Sequence, residues 1–238
     1  MPNREVLIVK NISREGPGLF EGVLLENSVR YSIIDVADLD KNRPLGNTGA
    51  VIVLGGPASA NDLDELMLDE LAFVRRVLRE KIPYLGICLG HQILVKATGG
   101  KIVPCRPKEI GFRNMSGENY SITLTGDGRK DPLFSGLDNT LGVFQLHGET
   151  VEPAAGTILL ATSLSCRNQV VKAGNNAYGI QAHFELDASM LETWLEEDED
   201  LGTLDPVAVR KDFAMFGNTC SLAGKTILKN FLSIASLI

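Results

Sequence analysis

The sequence of 238 residues contains no CxxC pair, no metal-finger spacing, no repeated unit and no low-complexity tract. Its four cysteines, at positions 88, 105, 166 and 220, are widely scattered. That usage points to a reduced, cytoplasmic protein rather than a stapled or zinc-bound one. Long apolar runs are also missing: no uncharged apolar stretch reaches the roughly 18–20 residues that a membrane span requires. The opening Met-Pro-Asn-Arg-Glu-Val has neither the apolar core nor the cleavage site of a secretory signal. Positive charge is short as well, with 23 Lys and Arg against 30 Asp and Glu, for a net charge of −7. This balance argues against a general nucleic-acid or anionic-membrane binder, although it leaves room for a local basic patch. What is present is ordinary for a soluble globular chain, 44% hydrophobic and 22% charged.

The pattern along the chain is βα in its first half. Residues 5–12, 31–36 and 50–54 read as strands, the last an uninterrupted apolar run typical of a strand covered on both faces. Helical spacing is expected over 17–27 and 63–80. Strands that alternate with helices imply right-handed crossovers and a parallel sheet. After Gly100 the texture changes to short β segments near 101–105, 120–125, 141–146, 157–162, 168–173 and 177–183, which would extend the sheet with antiparallel strands. From Asp187 the chain turns helical, with Asp205-Pro206 as an N-cap and first helical residue and a terminal helix over 219–237. The acidic run 196–200 reads as a solvated turn. The expected architecture is α/β: a three-layer sandwich whose central sheet is mixed but mainly parallel and flanked by helices. Residues 1–238 form one domain in this reading, with a core of about 1–187 and a C-terminal helical extension over 188–238.

Chemistry concentrates at Pro83-Tyr-Leu-Gly-Ile-Cys-Leu-Gly-His-Gln92. An apolar strand to Ile87 and a helix from Leu89 to Thr98 put Cys88 at their junction, with Gly86 and Gly90 two residues to either side. This G-x-nucleophile-x-G arrangement belongs to a sharp strand-to-helix turn in which side chains at the glycine positions would collide. A thiol at the first turn of a helix also feels the positive end of the dipole, which favours thiolate. A nucleophile needs a base and the base an orienting group. The histidines are His91, His147 and His183. His183 closes a strand-like run, and Glu185 lies two residues on, on the same face of an extended segment. Taken alone, a junction cysteine is more often a small buried hydrophobe and a strand histidine more often structural. The joint occurrence of the elbow, the His-x-Glu end and the Gly55-Gly56-Pro57 loop favours a catalytic reading.

Those motifs resemble the class I, triad-type glutamine amidotransferases, and most closely their free-standing GMP-synthase-like members. The likeness rests on Val53-Leu-Gly-Gly-Pro57, Leu85-Gly-Ile-Cys-Leu-Gly-His-Gln92, Lys108-Glu-Ile-Gly111, Phe144-Gln-Leu-His-Gly148 and Gly179-Ile-Gln-Ala-His-Phe-Glu185, in the family's order. Weaker similarity reaches back to Glu15-Gly-Pro-Gly18. The resemblance implies that Cys88 attacks the glutamine side-chain amide to give a γ-glutamyl thioester and ammonia. His183 would shuttle the proton, and Glu185 would orient His183. It implies an oxyanion hole from the backbone N–H groups of Leu89 and Gly56, and substrate contacts from Gln92 and from the backbone around Gln145, His147 and Gly148. For His147 a structural hydrogen-bonding role stands beside substrate contact, while Glu109 reads as a buried polar anchor and His91 as structural. Cys105, Cys166 and Cys220 read as packing residues. One departure is visible. Phe184 stands where most relatives have proline, which leaves the backbone freer between His183 and Glu185.

The function expected is thus a glutaminase-type hydrolase or amidotransferase acting on glutamine or a γ-glutamyl compound. If ammonia is used further, a separate synthetase or acceptor subunit is expected to use it, since the residues after 187 are too few for a synthetase domain. The alternatives are a self-contained γ-glutamyl peptide hydrolase, a regulatory relative without turnover, and another cysteine-elbow hydrolase. No metal, organic cofactor, nucleic acid or membrane is expected.

Overall fold

Strict alternation along the first strands sends neighbouring side chains to opposite layers. In β1 (Glu5–Lys10), Val6 and Ile8 enter one apolar layer and Leu7 and Val9 the other, all four fully buried. The same division recurs in β3 (Thr48–Val53), where Ala50 and Ile52 face one side and Val51 and Val53 the other. The structure, a computed structural model, describes residues 4–238. Residues 1–3, part of the segment read above for a secretory signal, lie outside the described residues.

The remaining strands are β2 (Tyr31–Asp35), β4 (Tyr84–Ile87), β5 (Lys101–Gly111), β6 (Ser121–Leu124) and β7 (Thr140–Gly142), then β8 (Gln145–Glu152), β9 (Ile158–Thr162), β10 (Val170–Ala173) and β11 (Ala177–Ile180). Among the described residues, nine of them form one sheet in the order β2-β1-β3-β4-β11-β10-β9-β6-β7. The run from β2 to β11 is parallel, and from β11 to β7 each neighbour is antiparallel. Helices α1 (Leu19–Glu26) and α5 (Pro206–Ile234) pack on one face, and α2 (Glu65–Arg79) and α3 (Leu89–Ala97) on the other. The expected three-layer sandwich with a mixed, mainly parallel sheet is therefore the fold observed. Among the described residues no helix is long and apolar enough to cross a membrane.

Three local expectations change. The strand expected over 141–146 is two, because Val143 and Phe144 turn inward between β7 and β8. β5 and β8 leave the main sheet and pair only with each other, antiparallel. The terminal helix begins at Pro206 and runs unbroken to Ile234, through Gly217 and Gly224. Its Asp205 cap accepts from Val207 N–H at 3.0 Å, as the Asp-Pro signal implies. Glycine costs a helix interior about 1 kcal/mol against alanine. At Gly224 the reason is close approach: a methyl group there would sit 2.1 Å from the Phe184 carbonyl oxygen. α4 (Ala188–Glu197) is capped by Asp187, which accepts from Met190 N–H at 2.9 Å.

One buried charge shapes stability. Glu70 of α2 is fully buried; burial pushes its carboxyl up to about 7, against an opposing pull from the Asn11 amide. A carboxyl whose folded value is raised contributes most below its unfolded value near 4.5, and that contribution is lost as pH rises through about 7. At about 1.4 kcal/mol per pH unit, the loss by pH 8 is on the order of 3 kcal/mol. Glu70→Gln is expected to remove most of this dependence. Thermal midpoints of both proteins at pH 5 and pH 8 check it, and equal slopes in the two would refute it.

Candidate active site

The parallel strands end together, and the connections that leave them converge on one pocket. β4 runs into α3 through Cys88, which is the N-cap of the helix with φ 48° and ψ −101°. Positive φ at a non-glycine residue is sparsely populated and costs on the order of 1–3 kcal/mol. The surroundings enforce it. A methyl group on Gly86 would lie 2.3 Å from Gly90 O, and one on Gly90 would lie 2.2 Å from Val53 O. The turn closes only with glycine on both sides, so the bend and the cysteine's place on it arise from the same residues. Cys88 N–H donates to Ile180 O at 2.8 Å, which ties the elbow to the end of β11.

His183 follows β11 and is held from four directions. Its N–H donates to Phe144 O at 3.0 Å, and its ring meets Trp194 edge-on with centroids 4.9 Å apart. Behind it, Leu19 N–H at the start of α1 donates to Glu185 O at 2.9 Å, and Gly224 of α5 abuts the Phe184 carbonyl. Phe184 itself is 1% exposed and belongs to the α1–α5 layer. The freedom expected from the missing proline is thus absent: packing of the phenylalanine ring constrains the backbone instead.

Within this frame His183 Nδ1 lies 2.7 Å from Glu185 Oε1, and both side chains are buried. Burial works against a charged imidazole. The Glu185 carboxylate and the Cys88 sulfur outweigh it, and the His183 pKa stands well above its usual value. Nε2 of His183 is buried without a hydrogen-bond partner. The Cys88 thiol donates to Leu146 O at 3.7 Å and accepts from Gln181 Nε2 at 3.6 Å. A methyl group on Gly55 would sit 3.0 Å from His183 Cε1 and 3.4 Å from Cys88 Cβ, so both side chains border the same point of the loop after β3. Thiol, imidazole and carboxylate in this sequence can activate a nucleophile.

The pocket, of about 590 Å³, is lined by Cys88, His183, Gly56, Gln92, His147 and Gly148 among others. Leu89 opens α3, and its N–H is among the first-turn donors without an intrahelical acceptor. Glycine is required at 56, since a methyl group there would press within 2.7 Å of Asn11 Cβ. Gln92 donates from Nε2 to Glu149 O at 3.3 Å. The Gln145 side chain points elsewhere: it is fully buried and donates to Gln169 Oε1 at 3.0 Å. Any contact from that residue would have to come from its backbone. His147 joins the pocket wall to a buried network, with Nε2 2.9 Å from Glu109 Oε2 and Nδ1 3.0 Å from Glu149 O. Glu109 also accepts from Gln169 Nε2 at 3.0 Å and from Ser165 Oγ. Burial opposes ionisation of Glu109, but these donors outweigh it and hold its carboxyl below the usual range. Glu109, His147 and Cys166 offer ligand atoms within 4.8 Å of one another. Each already has a hydrogen-bond partner, the Cys166 sulfur lying 3.0 Å from Thr150 Oγ1, so the group is self-sufficient as a network. Cys166 therefore does more than fill space. His91 is fully buried beneath Gly179, and burial, helped by nearby His147, lowers it to about 3, which keeps it neutral.

Sequence reading missed the acidic wall. Asp198 pairs with Arg14 at 2.7 Å and Asp200 with Lys108 at 2.7 Å, and all four residues line the pocket. Against the solvated turn expected over 196–200, Glu196 and Glu197 end α4 and residues 197–200 line the pocket. Glu15, in the loop between β1 and α1, also lines it. Its only signal in the sequence was the weak Glu-Gly-Pro-Gly likeness.

Comparison with known proteins agrees with this geometry. A family model described as glutamine amidotransferase class-I matches residues 22–198. The chain is 29% identical over 174 residues to a protein of Saccharolobus solfataricus named as one subunit of glutamine-hydrolyzing GMP synthase, covering 71% of this chain and 85% of that protein. It is 33% identical over 190 residues to the glutamine-hydrolyzing GMP synthase of Bacillus velezensis, covering 79% of this chain but only 31% of that longer protein. Among solved structures, a glutamine amidotransferase from Thermotoga maritima superposes with a TM-score of 0.85 at 25% identity, covering 97% of this chain and 98% of that one.

Proposed function

Since the chain belongs to the class I glutamine amidotransferases, we propose that it is a cysteine-dependent hydrolase of the glutamine side-chain amide, working through Cys88, His183 and Glu185. The observation that carries this is the meeting of the strained Cys88 elbow with the His183–Glu185 pair, joined at 2.7 Å, in one pocket.

In this mechanism His183 takes the thiol proton and the Cys88 sulfur attacks the substrate carbonyl carbon. The oxyanion is met by the N–H groups of Leu89 and Gly56. One such donor is worth roughly 3–4 kcal/mol of barrier, because it is aimed where charge develops. The C–N bond breaks as His183 returns the proton to the leaving nitrogen, so ammonia departs and a γ-glutamyl thioester remains. Water, deprotonated by His183, then releases glutamate. Glu185 holds the imidazole tautomer and compensates its charge throughout. Gln92, His147 and Gly148, which line the same pocket, hold the rest of the substrate in this reading.

Two further elements of the proposal rest on the relatives. A protein named as part of a multi-chain GMP synthase is similar to this chain over most of both lengths, which supports a separate synthetase partner that uses the ammonia. Without one, the same thioester chemistry makes a γ-glutamyl hydrolase. The test combines trapping with a substrate panel. Incubation with an electrophilic glutamine analogue should leave one adduct, located at Cys88 by peptide mass spectrometry. No adduct there would sink the mechanism. Glutamine should be turned over faster than γ-glutamyl peptides; the opposite ranking would assign the chain to peptide hydrolysis.

A further inference from the structure

Glu15 is a carboxyl with no assigned role in the mechanism above. It is 4% exposed, yet it lines the pocket, and its Oε2 is buried without a hydrogen-bond partner. The point that brings Cys88 and His183 together also brings Glu15. A methyl group on Gly55 would fall 2.3 Å from Glu15 Oε2, as well as against His183 Cε1 and Cys88 Cβ. Buried polar atoms almost always find partners, and one that lacks a protein partner inside a pocket is placed for a ligand. His183 lines the same pocket, with the Cys88 sulfur near its ring. A donor-starved carboxylate and a proton-carrying imidazole beside one position suit a nitrogen that must both give a hydrogen bond and receive a proton. The leaving nitrogen of an amide does both.

We propose that Glu15 is a catalytic residue for the leaving group: its Oε2 accepts a hydrogen bond from the amide N–H as His183 protonates that nitrogen. The assignment rests on the thioester reading of the site. It adds no reactant. The S–C bond forms, the C–N bond breaks, the proton passes from His183 to nitrogen, and Glu15 holds the N–H of the departing ammonia or primary amine. The class of substrate favoured is a γ-glutamyl amide over a γ-glutamyl ester, whose leaving oxygen carries no hydrogen to donate. The charged, accepting form of Glu15 gains population as pH rises through about 7. Burial raises its pKa, His183 lowers it, Glu185 raises it, Arg14 lowers it and Asp198 raises it, leaving it at about 7.

The test compares kcat/KM for glutamine with that for the γ-methyl ester of glutamate, which forms the same thioester. Glu15→Met removes the acceptor at similar volume, and Glu15→Gln keeps a weaker, uncharged one. A hydrogen bond to a charged group is worth about 10- to 100-fold in rate. Glu15→Met should therefore lose about that factor on glutamine and less than about threefold on the ester, with Glu15→Gln between. Equal losses on both substrates, or no loss on glutamine, in whichever of the two variants is recovered folded, overturn the assignment alone. Ester turnover that survives Cys88→Ala would overturn the thioester reading and this assignment with it.

Discussion

Cys88→Ala is expected to abolish turnover of every γ-glutamyl substrate, by at least about four orders of magnitude, while the protein stays folded. The loss is large because no other thiol can substitute: Cys105, Cys166 and Cys220 are buried and none of them lines the pocket. Burial pushes Cys220 up to about 12, further from the reactive form. Removing a nucleophile typically leaves only the background that binding and the oxyanion hole provide. Stability should barely change, since alanine keeps the Cβ and loses one sulfur at a site that faces the pocket. Cys88→Gly goes further, relieving the positive φ, and is expected to be inactive but more stable by about 1 kcal/mol. Rate assays paired with thermal unfolding decide the matter. An active Cys88→Ala protein would remove the basis of the functional assignment.

Glu185→Gln is the second large effect, and its expected loss is about three orders of magnitude in kcat. The 2.7 Å contact to Nδ1 both fixes the imidazole tautomer and supports its charge. An amide at the same place can turn either its oxygen or its nitrogen toward the ring, and it carries no charge. Burial of His183 would then be opposed by the Cys88 sulfur without the carboxylate, so the imidazole would lose its proton at lower pH. The sign is definite: the alkaline limb of the kcat/KM profile shifts to lower pH in the variant. A profile that drops in height with its limbs unmoved would mean that Glu185 only packs. Because Glu185 O also accepts from Leu19 N–H through the backbone, that support of the fold is untouched by the side-chain change.

The two halves of the site differ in how plainly they stand in the chain. The elbow is a local object. Gly86, Cys88 and Gly90 lie within five residues, and the steric demand of one turn determines all three, so spacing alone predicts it. The His183–Glu185 pair is local too, through the two-residue period of an extended segment. Glu15 was not legible in this way. Its neighbours at Gly55 and His183 are distant in sequence, and a single acidic residue in a loop has no periodicity to betray burial. The β5–β8 ribbon escaped for a related reason: its strands alternate like any others, and which sheet they join depends on partners elsewhere. The stretch of α5 before residue 219 escaped because Gly217 weakens the helical pattern there, whereas in the fold it packs against the Phe213 ring.

By itself, then, the amino-acid order determined what short-range sterics and periodicity can dictate: the alternating layers of the parallel strands, the Asp205 cap of α5, and the glycine-flanked thiol on its turn. Tertiary structure alone decided which distant groups share the pocket, that Phe184 stiffens rather than loosens the histidine segment, that residues 198 and 200 face Arg14 and Lys108, and that the Glu15 carboxyl is shut in beside the thiol. Those outcomes depend on contacts between segments far apart in the chain, whose burial and charge are set only when the layers close on one another.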